Sequence, residues 1–157
     1  MVDMTEQPKS KIDADAFTVR RSIHISAPLT RVWTAITDPR QISLWFGEAR
    51  LNGSGVGASG TLTWPDHGST PFRIEAIDEP HSISYRWNEE PSTGEPVITD
   101  ASTVFTFTLE SRGGGTQLTV VETGFDITTD PAAHLESHRG GWDFELDELI
   151  TLLETPA

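Results

Sequence analysis

Apolar and polar residues alternate along most of this chain, and the alternation predicts a half-exposed antiparallel sheet. In Ser82–Trp87, for example, Ile83, Tyr85 and Trp87 share one face and polar residues fill the other. Because successive side chains of a strand point to opposite sides, one face of such a sheet packs on a core and the other meets water. Seven segments predict strands in this way: Phe17–Ser26, Glu48–Leu51, Gly60–Trp64, Pro71–Ile77, Ser82–Trp87, Thr103–Leu109 and Gln117–Thr123.

Three other segments carry apolar residues at helical spacing. The first helix opens at Ala27-Pro28, and Thr37-Asp38-Pro39 ends it and begins a second short helix that ends at Gly47. A cap at Asp130 predicts the start of a long final helix with leucines recurring on one face as far as Leu153. Residues 1–16 are polar and lack periodicity, so we expect a disordered tail followed by a single domain over residues 17–157.

An ordered set of short motifs is similar to the signature of one bacterial family. The motifs are Ala27-Pro28, Val32-Trp33, Thr37-Asp38-Pro39, Trp45-Phe46, Gly124-Phe125 and Gly141-Trp142. Together they resemble the branch of the START and birch-pollen-allergen superfamily that is named for homology to the heat-shock ATPase activator. The resemblance covers nearly the whole chain. It implies an α+β helix-grip fold, in which a seven-stranded antiparallel sheet wraps around the C-terminal helix and two short helices close one end.

The resemblance also implies a cavity between the sheet and the last helix. In this superfamily the cavity binds lipids, polyketides, plant hormones or aromatic metabolites, and in some branches it hosts cyclase or hydrolytic chemistry. Strand alternation and helical spacing point most of the candidate residues inward, and we expect a pocket of roughly 300–1,000 Å³. The hydroxyl of Tyr85 and the indole N–H groups are candidates for polar contacts with a ligand. The candidate wall residues are Trp45, Phe46, Trp64, Phe72, Tyr85, Trp87, Phe105, Phe107, Glu122 and Trp142.

Glu122 is the one charged residue among these candidates. It is in phase with Leu118 and Val120, so strand alternation points its carboxylate at the apolar face. Burial raises the pKa of such a carboxyl unless a donor, for instance Tyr85, compensates. Two interpretations stay open: an inward ligand-orienting group or general base, and a residue at the end of a strand that has already left the core.

Several classes of chemistry find little support in the sequence. Cysteine is absent, which excludes disulfides, thiolate nucleophiles and sulfur-ligated zinc. His134 and His138 have a chelating spacing, but the intervening residues match no zinc-protease motif, so we expect a surface or cavity-edge pair and no bound metal or cofactor. The glycines of Gly55-x-Gly57-x-x-Gly60 match the dinucleotide fingerprint, but a predicted strand follows where that fingerprint requires a helix. This segment predicts a hairpin loop.

The net charge and the length of the apolar runs limit the classes of partner that the chain can bind. The chain has 24 acidic and 11 basic side chains and a formal net charge of −13, which repels phosphate backbones and anionic membranes. No apolar run is long enough to span a bilayer, and the polar N-terminus does not match a secretory signal. We therefore expect a cytoplasmic monomer or weak dimer that neither binds nucleic acid nor inserts into a membrane.

The leading hypothesis for function is the binding of a small hydrophobic or aromatic metabolite, lipid- or polyketide-like, in the internal cavity. No nucleophile with an adjacent base is recognisable, so binding ranks above catalysis. Two alternatives stay open. One is a cyclase- or hydrolase-type enzyme acting in the same cavity, and the other is a co-chaperone-like protein-interaction domain.

Overall fold

A computed structural model describes residues 7–65, 68–88, 102–127 and 130–154. Eight strands and three α-helices lie in these residues, and a short 3₁₀ helix over Phe125–Ile127 precedes the last α-helix. The strands are β1 (Lys11–Asp13), β2 (Thr18–Ile25), β3 (Glu48–Asn52), β4 (Ser59–Trp64), β5 (Gly68–Asp78), β6 (Ser82–Asn88), β7 (Ser102–Arg112) and β8 (Gly115–Thr123). The helices are α1 (Leu29–Thr37), α2 (Pro39–Ile42) and α3 (Pro131–Glu154).

The strands form one sheet in the order β1-β2-β8-β7-β6-β5-β4-β3, and each neighbouring pair is antiparallel. The α+β helix-grip fold expected from the sequence is therefore confirmed. The seven predicted strands correspond to β2–β8. The strand count is corrected to eight, because β1 adds to the sheet beside β2.

β1 lies inside the segment 1–16 for which the sequence predicts a disordered tail, and it corrects that prediction. Polar, long-range contacts hold the segment in place. The side-chain amide of Gln7 pairs with both backbone groups of His24, at 2.8 and 3.0 Å. The backbone N–H of Ser10 donates to Asp143 Oδ1 at 2.7 Å. Apolar periodicity indicates only local structure, so it could not predict polar contacts between residues that are distant in sequence. Residues 1–6 lie outside the described part of the chain.

Arg21 interrupts the apolar face of β2 because it binds α3. Its buried side chain donates to the backbone carbonyls of Trp142 and Asp143, at 3.2 and 3.0 Å, and to Asp147 Oδ1 at 2.7 Å. The carbonyl of Pro8 accepts a further hydrogen bond at 2.8 Å. A buried guanidinium is stable only when its donors are paired, so Arg21 fixes both α3 and the N-terminal segment against β2.

α3 begins where the sequence predicts. Asp130 Oδ1 accepts a hydrogen bond from the backbone N–H of Ala133 at 3.2 Å, as an N-cap residue does. The apolar positions that the sequence places on one face of the helix are buried: Leu135, Trp142, Leu146, Leu149 and Leu153. Among the described residues, no helix is long and apolar enough to cross a membrane.

The second short helix ends earlier than predicted. Asp38 separates α1 from α2 as expected, but α2 ends at Ile42 and not at Gly47. Trp45 and Phe46 lie on the turns that follow, where both backbone N–H groups donate to the carbonyl of Ile42. The aromatic pair is therefore carried by a short connection to β3.

The glycine-rich segment between β3 and β4 is a hairpin loop, as predicted. Gly55 and Gly57 adopt positive φ angles of 81° and 92°, and the strand β4 follows them. Gly60 lies within β4, where a Cβ atom would stand 1.6 Å from the carbonyl oxygen of Arg50. Only glycine allows β3 and β4 to pair at this distance.

Candidate functional site

The nine aromatic candidates form one connected cluster between the sheet and α3. They come from β4, β5, β6, β7 and α3 and from the turn after α2. Neighbouring ring centroids lie 4.6–6.4 Å apart, mostly in tilted or edge-to-face arrangements, which aromatic rings favour. The members of this aromatic cluster are Trp45, Phe46, Trp64, Phe72, Tyr85, Trp87, Phe105, Phe107 and Trp142.

A small apolar cavity lies against this cluster. Its volume is about 10 Å³, close to the minimum that one water molecule needs. The sequence predicted a pocket of roughly 300–1,000 Å³, and this cavity is far smaller because the rings around it are closely packed. Four candidates, Trp64, Trp87, Glu122 and Trp142, do not line it. The lining residues are Ile36, Ile42, Trp45, Phe46, Leu62, Phe72, Tyr85, Phe105 and Phe107.

Two polar groups at the cavity form hydrogen bonds within the protein. The hydroxyl of Tyr85 donates to the carbonyl of Ile36 at 2.7 Å, and Trp45 Nε1 donates to the carbonyl of Ala35 at 2.8 Å. Both carbonyls belong to the last turn of α1, where no intrahelical partner is available. Tyr85 and Trp45 thus tie α1 to the sheet, and the cavity presents a mainly apolar wall. Burial also raises the pKa of Tyr85.

Glu122 points inward and is completely buried, so the interpretation that its strand has left the core is wrong. Four side chains donate to its carboxylate. Trp142 Nε1 binds Oε1 at 2.8 Å, and Trp87 Nε1 binds Oε2 at 2.7 Å. Thr103 Oγ1 donates to Oε2 at 2.5 Å, and His138 Nδ1 contacts both oxygens at 2.9 Å. We call these five residues the Glu122 cluster.

The donors decide the charge state of Glu122. Burial is the largest single influence and raises the pKa of its carboxyl. The positive charge of protonated His138 and the hydrogen bonds from His138, Thr103 and Trp87 together outweigh burial and hold the pKa below its ordinary value of 4.5. The predicted compensating donor, Tyr85, is wrong, since its hydroxyl binds α1. A carboxylate has about four acceptor positions, so this one has no free position for a ligand or for a proton from a substrate.

The two histidines of the predicted pair lie one turn apart on the same face of α3. His138 belongs to the Glu122 cluster, and His134 is buried. Within the described residues, no group of three histidine, cysteine, aspartate or glutamate side chains could hold a metal ion.

Glu145 on α3 is a titratable group that no sequence motif had indicated. Burial, followed by the like charge of Glu148, raises the pKa of Glu145 to about 8, against a hydrogen bond from Trp64 that lowers it. Glu145 follows Trp142 by three residues, so it borders the buried stripe of the helix. That spacing was the signal available in the sequence.

Solved structures share this fold. DynU16, from the dynemicin biosynthetic locus, is 25% identical with a TM-score of 0.70 over 88% of this chain and 47% of its own, so this chain spans about half the length of DynU16. A protein from Arthrobacter aurescens is 21% identical with a TM-score of 0.78 over 97% and 94% of the two chains. The Aha1 dimer from Colwellia psychrerythraea is 20% identical with a TM-score of 0.66 over 87% and 96%. A comparison with curated proteins gave no match.

The family resemblance read from the motifs is also confirmed. The profile of the family described as Activator of Hsp90 ATPase homolog 1-like protein matches residues 26–154. This interval contains all six motifs, the aromatic cluster and the Glu122 cluster. The chain therefore belongs to the family of Activator of Hsp90 ATPase homolog 1-like proteins.

Proposed function

We propose that this protein binds a small hydrophobic or aromatic metabolite, lipid- or polyketide-like, between the sheet and α3. The observation that carries the proposal is the aromatic cluster itself, which lies around an apolar cavity and whose hydroxyl and indole donors are bonded within the protein. Such a lining recognises a ligand by shape and apolar contact. The origin of DynU16 in a biosynthetic locus supports a role with small molecules.

The small volume of the cavity sets a condition on this function. At about 10 Å³ this cavity admits no metabolite as it stands, so a ligand that enters it has to displace ring side chains. The apparent affinity is then lowered by the fraction of molecules in the open state. The turn after α2 carries Trp45 and Phe46 outside the helices and strands, which favours it as the moving part.

The occupied carboxylate of Glu122 is unsuited to act as the general base of a cyclase or hydrolase. A general base needs a free acceptor position within reach of the proton that it removes. Four donors occupy the acceptor positions of the Glu122 carboxylate. Thr103 donates to this carboxylate and not to His138, so its hydroxyl lacks the imidazole base that would activate it as a nucleophile.

The protein-interaction alternative has less support. The large apolar side chains that are well exposed among the described residues lie on four separate elements: Leu44, Val56, Ile77 and Phe144. Single exposed apolar residues are ordinary on soluble domains, whereas a docking surface needs a contiguous patch.

Native mass spectrometry of the freshly purified protein tests the proposed function. We expect a noncovalent adduct that is released on denaturation and that partitions into organic solvent. The same preparation, stripped of the adduct, should bind neutral aromatic compounds in titrations. Protein that carries no adduct and binds none of these compounds contradicts the proposal.

A further inference from the structure

Phe46, like Phe105, contacts five other rings of the aromatic cluster. Its centroid lies 5.0–6.0 Å from five other rings, which together we call the ring cage. The side chain is only partly buried, although its neighbours Trp45, Phe105 and Trp142 are buried. The members of the ring cage are Trp45, Trp64, Trp87, Phe105 and Trp142.

The ring cage suits a flat aromatic guest. Trp45 stacks on Phe46 with an angle of 10° between the ring planes, and Phe105 meets it edge-on at 88°. Stacked and edge-to-face contacts are the two favourable arrangements for aromatic rings. Another six-membered ring in the position of Phe46 would find the same partners.

Phe46 is attached to a part of the site outside the helices and strands. It lies on the turn between α2 and β3, and the carbonyl of Phe46 accepts a hydrogen bond from Trp64 Nε1 at 3.0 Å. The Trp64 ring also covers Gly47, where a Cβ atom would stand 2.9 Å from it. Displacing the Phe46 side chain breaks ring contacts but no strand pairing and no contact within α3.

The cage favours an uncharged guest. The indole N–H groups of Trp87 and Trp142 bind Glu122, and that of Trp45 binds α1. An anion therefore finds no available indole donor among these three. A charged group of either sign would lose its hydration among the rings, at a large cost, and for a cation the attraction to the ring faces offsets only part of that cost.

We infer that the ring of Phe46 occupies the position of a ligand ring, and that the ligand is a neutral fused-ring aromatic compound that displaces Phe46 from the ring cage. The inference rests on the proposed function and adds to it the place, the class of ligand and the residue that competes with it. Phe46 thereby acts as a specificity-determining residue, because only a guest that makes better ring contacts than its own phenyl group can enter.

Naphthalene titrations followed by NMR of the tryptophan indoles test this inference. We expect Phe46→Ala to lower the dissociation constant for naphthalene at least tenfold relative to the wild type, since the competing ring is gone. Phe46→Trp should raise it at least tenfold. Phe144→Ala is the matched control, because Phe144 is 63% exposed, and it should bind naphthalene as the wild type does.

Charged analogues and a milder variant complete the experiment. Naphthalene-2-sulfonate and 2-naphthylmethylammonium should gain less than threefold from Phe46→Ala, and a gain equal to that of naphthalene overturns the assignment of a neutral ligand. If Phe46→Ala unfolds, Phe46→Leu should still lower the dissociation constant for naphthalene about threefold.

The two proposals fail in different ways. Wild-type binding that Phe46→Ala leaves unchanged overturns the role of Phe46 and leaves the proposed function intact. Binding by Phe46→Ala without binding by the wild type contradicts the proposed function and leaves the competing role of Phe46 intact. Binding by no protein in the series contradicts both proposals.

Discussion

The space between the sheet and α3 contains two regions that are built in opposite ways. In the Glu122 cluster, a buried carboxylate is surrounded by four donors at 2.5–2.9 Å. In the aromatic cluster, apolar side chains meet without a buried charge, and a cavity of about 10 Å³ lies against them. Trp142 and Trp87 belong to both regions, with their rings in the aromatic cluster and their N–H groups on Glu122.

This difference separates the part of the site that holds the fold from the part that can open. A buried charge with fixed partners allows one geometry, since the loss of any donor is costly. Apolar contacts have no direction, so rings can be exchanged for other rings at lower cost. The polar region therefore fixes α3 to the sheet, and the apolar region is where we propose that a ligand replaces a side chain.

The largest effect is expected where the two regions meet. Trp142→Ala removes a buried ring from the aromatic cluster and one donor from Glu122, so it should lower the free energy of unfolding by about 3–5 kcal/mol. Urea denaturation followed by circular dichroism measures this loss. The exposed Phe144→Ala, two residues away, should change the free energy by less than about 0.5 kcal/mol. A loss below about 1 kcal/mol for Trp142→Ala would show that this ring is not part of a packed core.

Removing the charge of Glu122 should have the next largest effect. Glu122→Gln keeps the shape but turns an amide N–H₂ toward groups that donate, so we expect a loss of about 2–4 kcal/mol at pH 7. Thr103→Val, which removes one donor and keeps the carboxylate, should cost about 1 kcal/mol. Equal stabilities of the wild type and Glu122→Gln would contradict the view that the four donors are arranged for a carboxylate.

The stability difference between the wild type and Glu122→Gln should depend on pH. Because the pKa of Glu122 is lower in the folded protein than in the unfolded chain, its contribution to stability is full above the ordinary value of 4.5 and is lost as the pH falls through the folded value. The stability difference between the wild type and Glu122→Gln should therefore shrink between pH 5 and pH 2, in denaturation curves measured at each pH.

Glu145 should show the opposite pH dependence. Its pKa is raised to about 8, so the folded protein holds this proton more tightly than the unfolded chain. Its contribution to stability is complete below pH 4.5 and is lost as the pH rises through about 8. Glu145→Gln should stabilise the protein by about 1 kcal/mol at pH 9, after allowance for its partial exposure, and should change little at pH 4. Stabilisation at pH 4 and none at pH 9 would reverse this assignment.

The smallest expected effect concerns the pair of adjacent glycines within α3, Gly140 and Gly141. A Cβ atom at Gly141 meets no described atom within 4 Å, and glycine within a helix costs about 0.5–1 kcal/mol relative to alanine. Gly141→Ala should therefore raise the free energy of unfolding by roughly that amount, measured by thermal or urea denaturation. A clear loss of stability would indicate that the backbone of α3 is closely approached at this point.

Much of the fold could be predicted because it rests on local signals. Alternation located β2–β8, and the Asp130 cap located the start of α3. β1 could not be found in this way, because backbone pairing and contacts such as Ser10 to Asp143 join residues distant in sequence. The early end of α2 was missed because Trp45 and Phe46 continue the apolar pattern on turns that are not helical.

It was easier to predict which residues belong to the site than to predict how closely they pack and which hydrogen bonds they form. Period and phase pointed the aromatic residues of the strands, Trp142 and Glu122 inward, and the family resemblance added Trp45. The structure brings all of these residues to the core or packs them against it. Neither period nor phase indicates how completely rings fill a space or which acceptor a donor selects. The cavity volume and the four donors on Glu122 therefore became visible only in three dimensions, as did the tie between Tyr85 and α1.

The central claim is that ligands bind inside the aromatic cluster, and the five tryptophan indoles test it most directly. Four of them, Trp45, Trp64, Trp87 and Trp142, belong to the cluster, whereas Trp33 Nε1 donates to Glu79 at 3.1 Å. In a titration of ¹⁵N-labelled wild-type protein with naphthalene, we predict saturable shifts of the four cluster resonances and a constant Trp33 resonance. Saturable binding that shifts Trp33 and leaves the four unchanged, or no shift of any indole, would contradict the account.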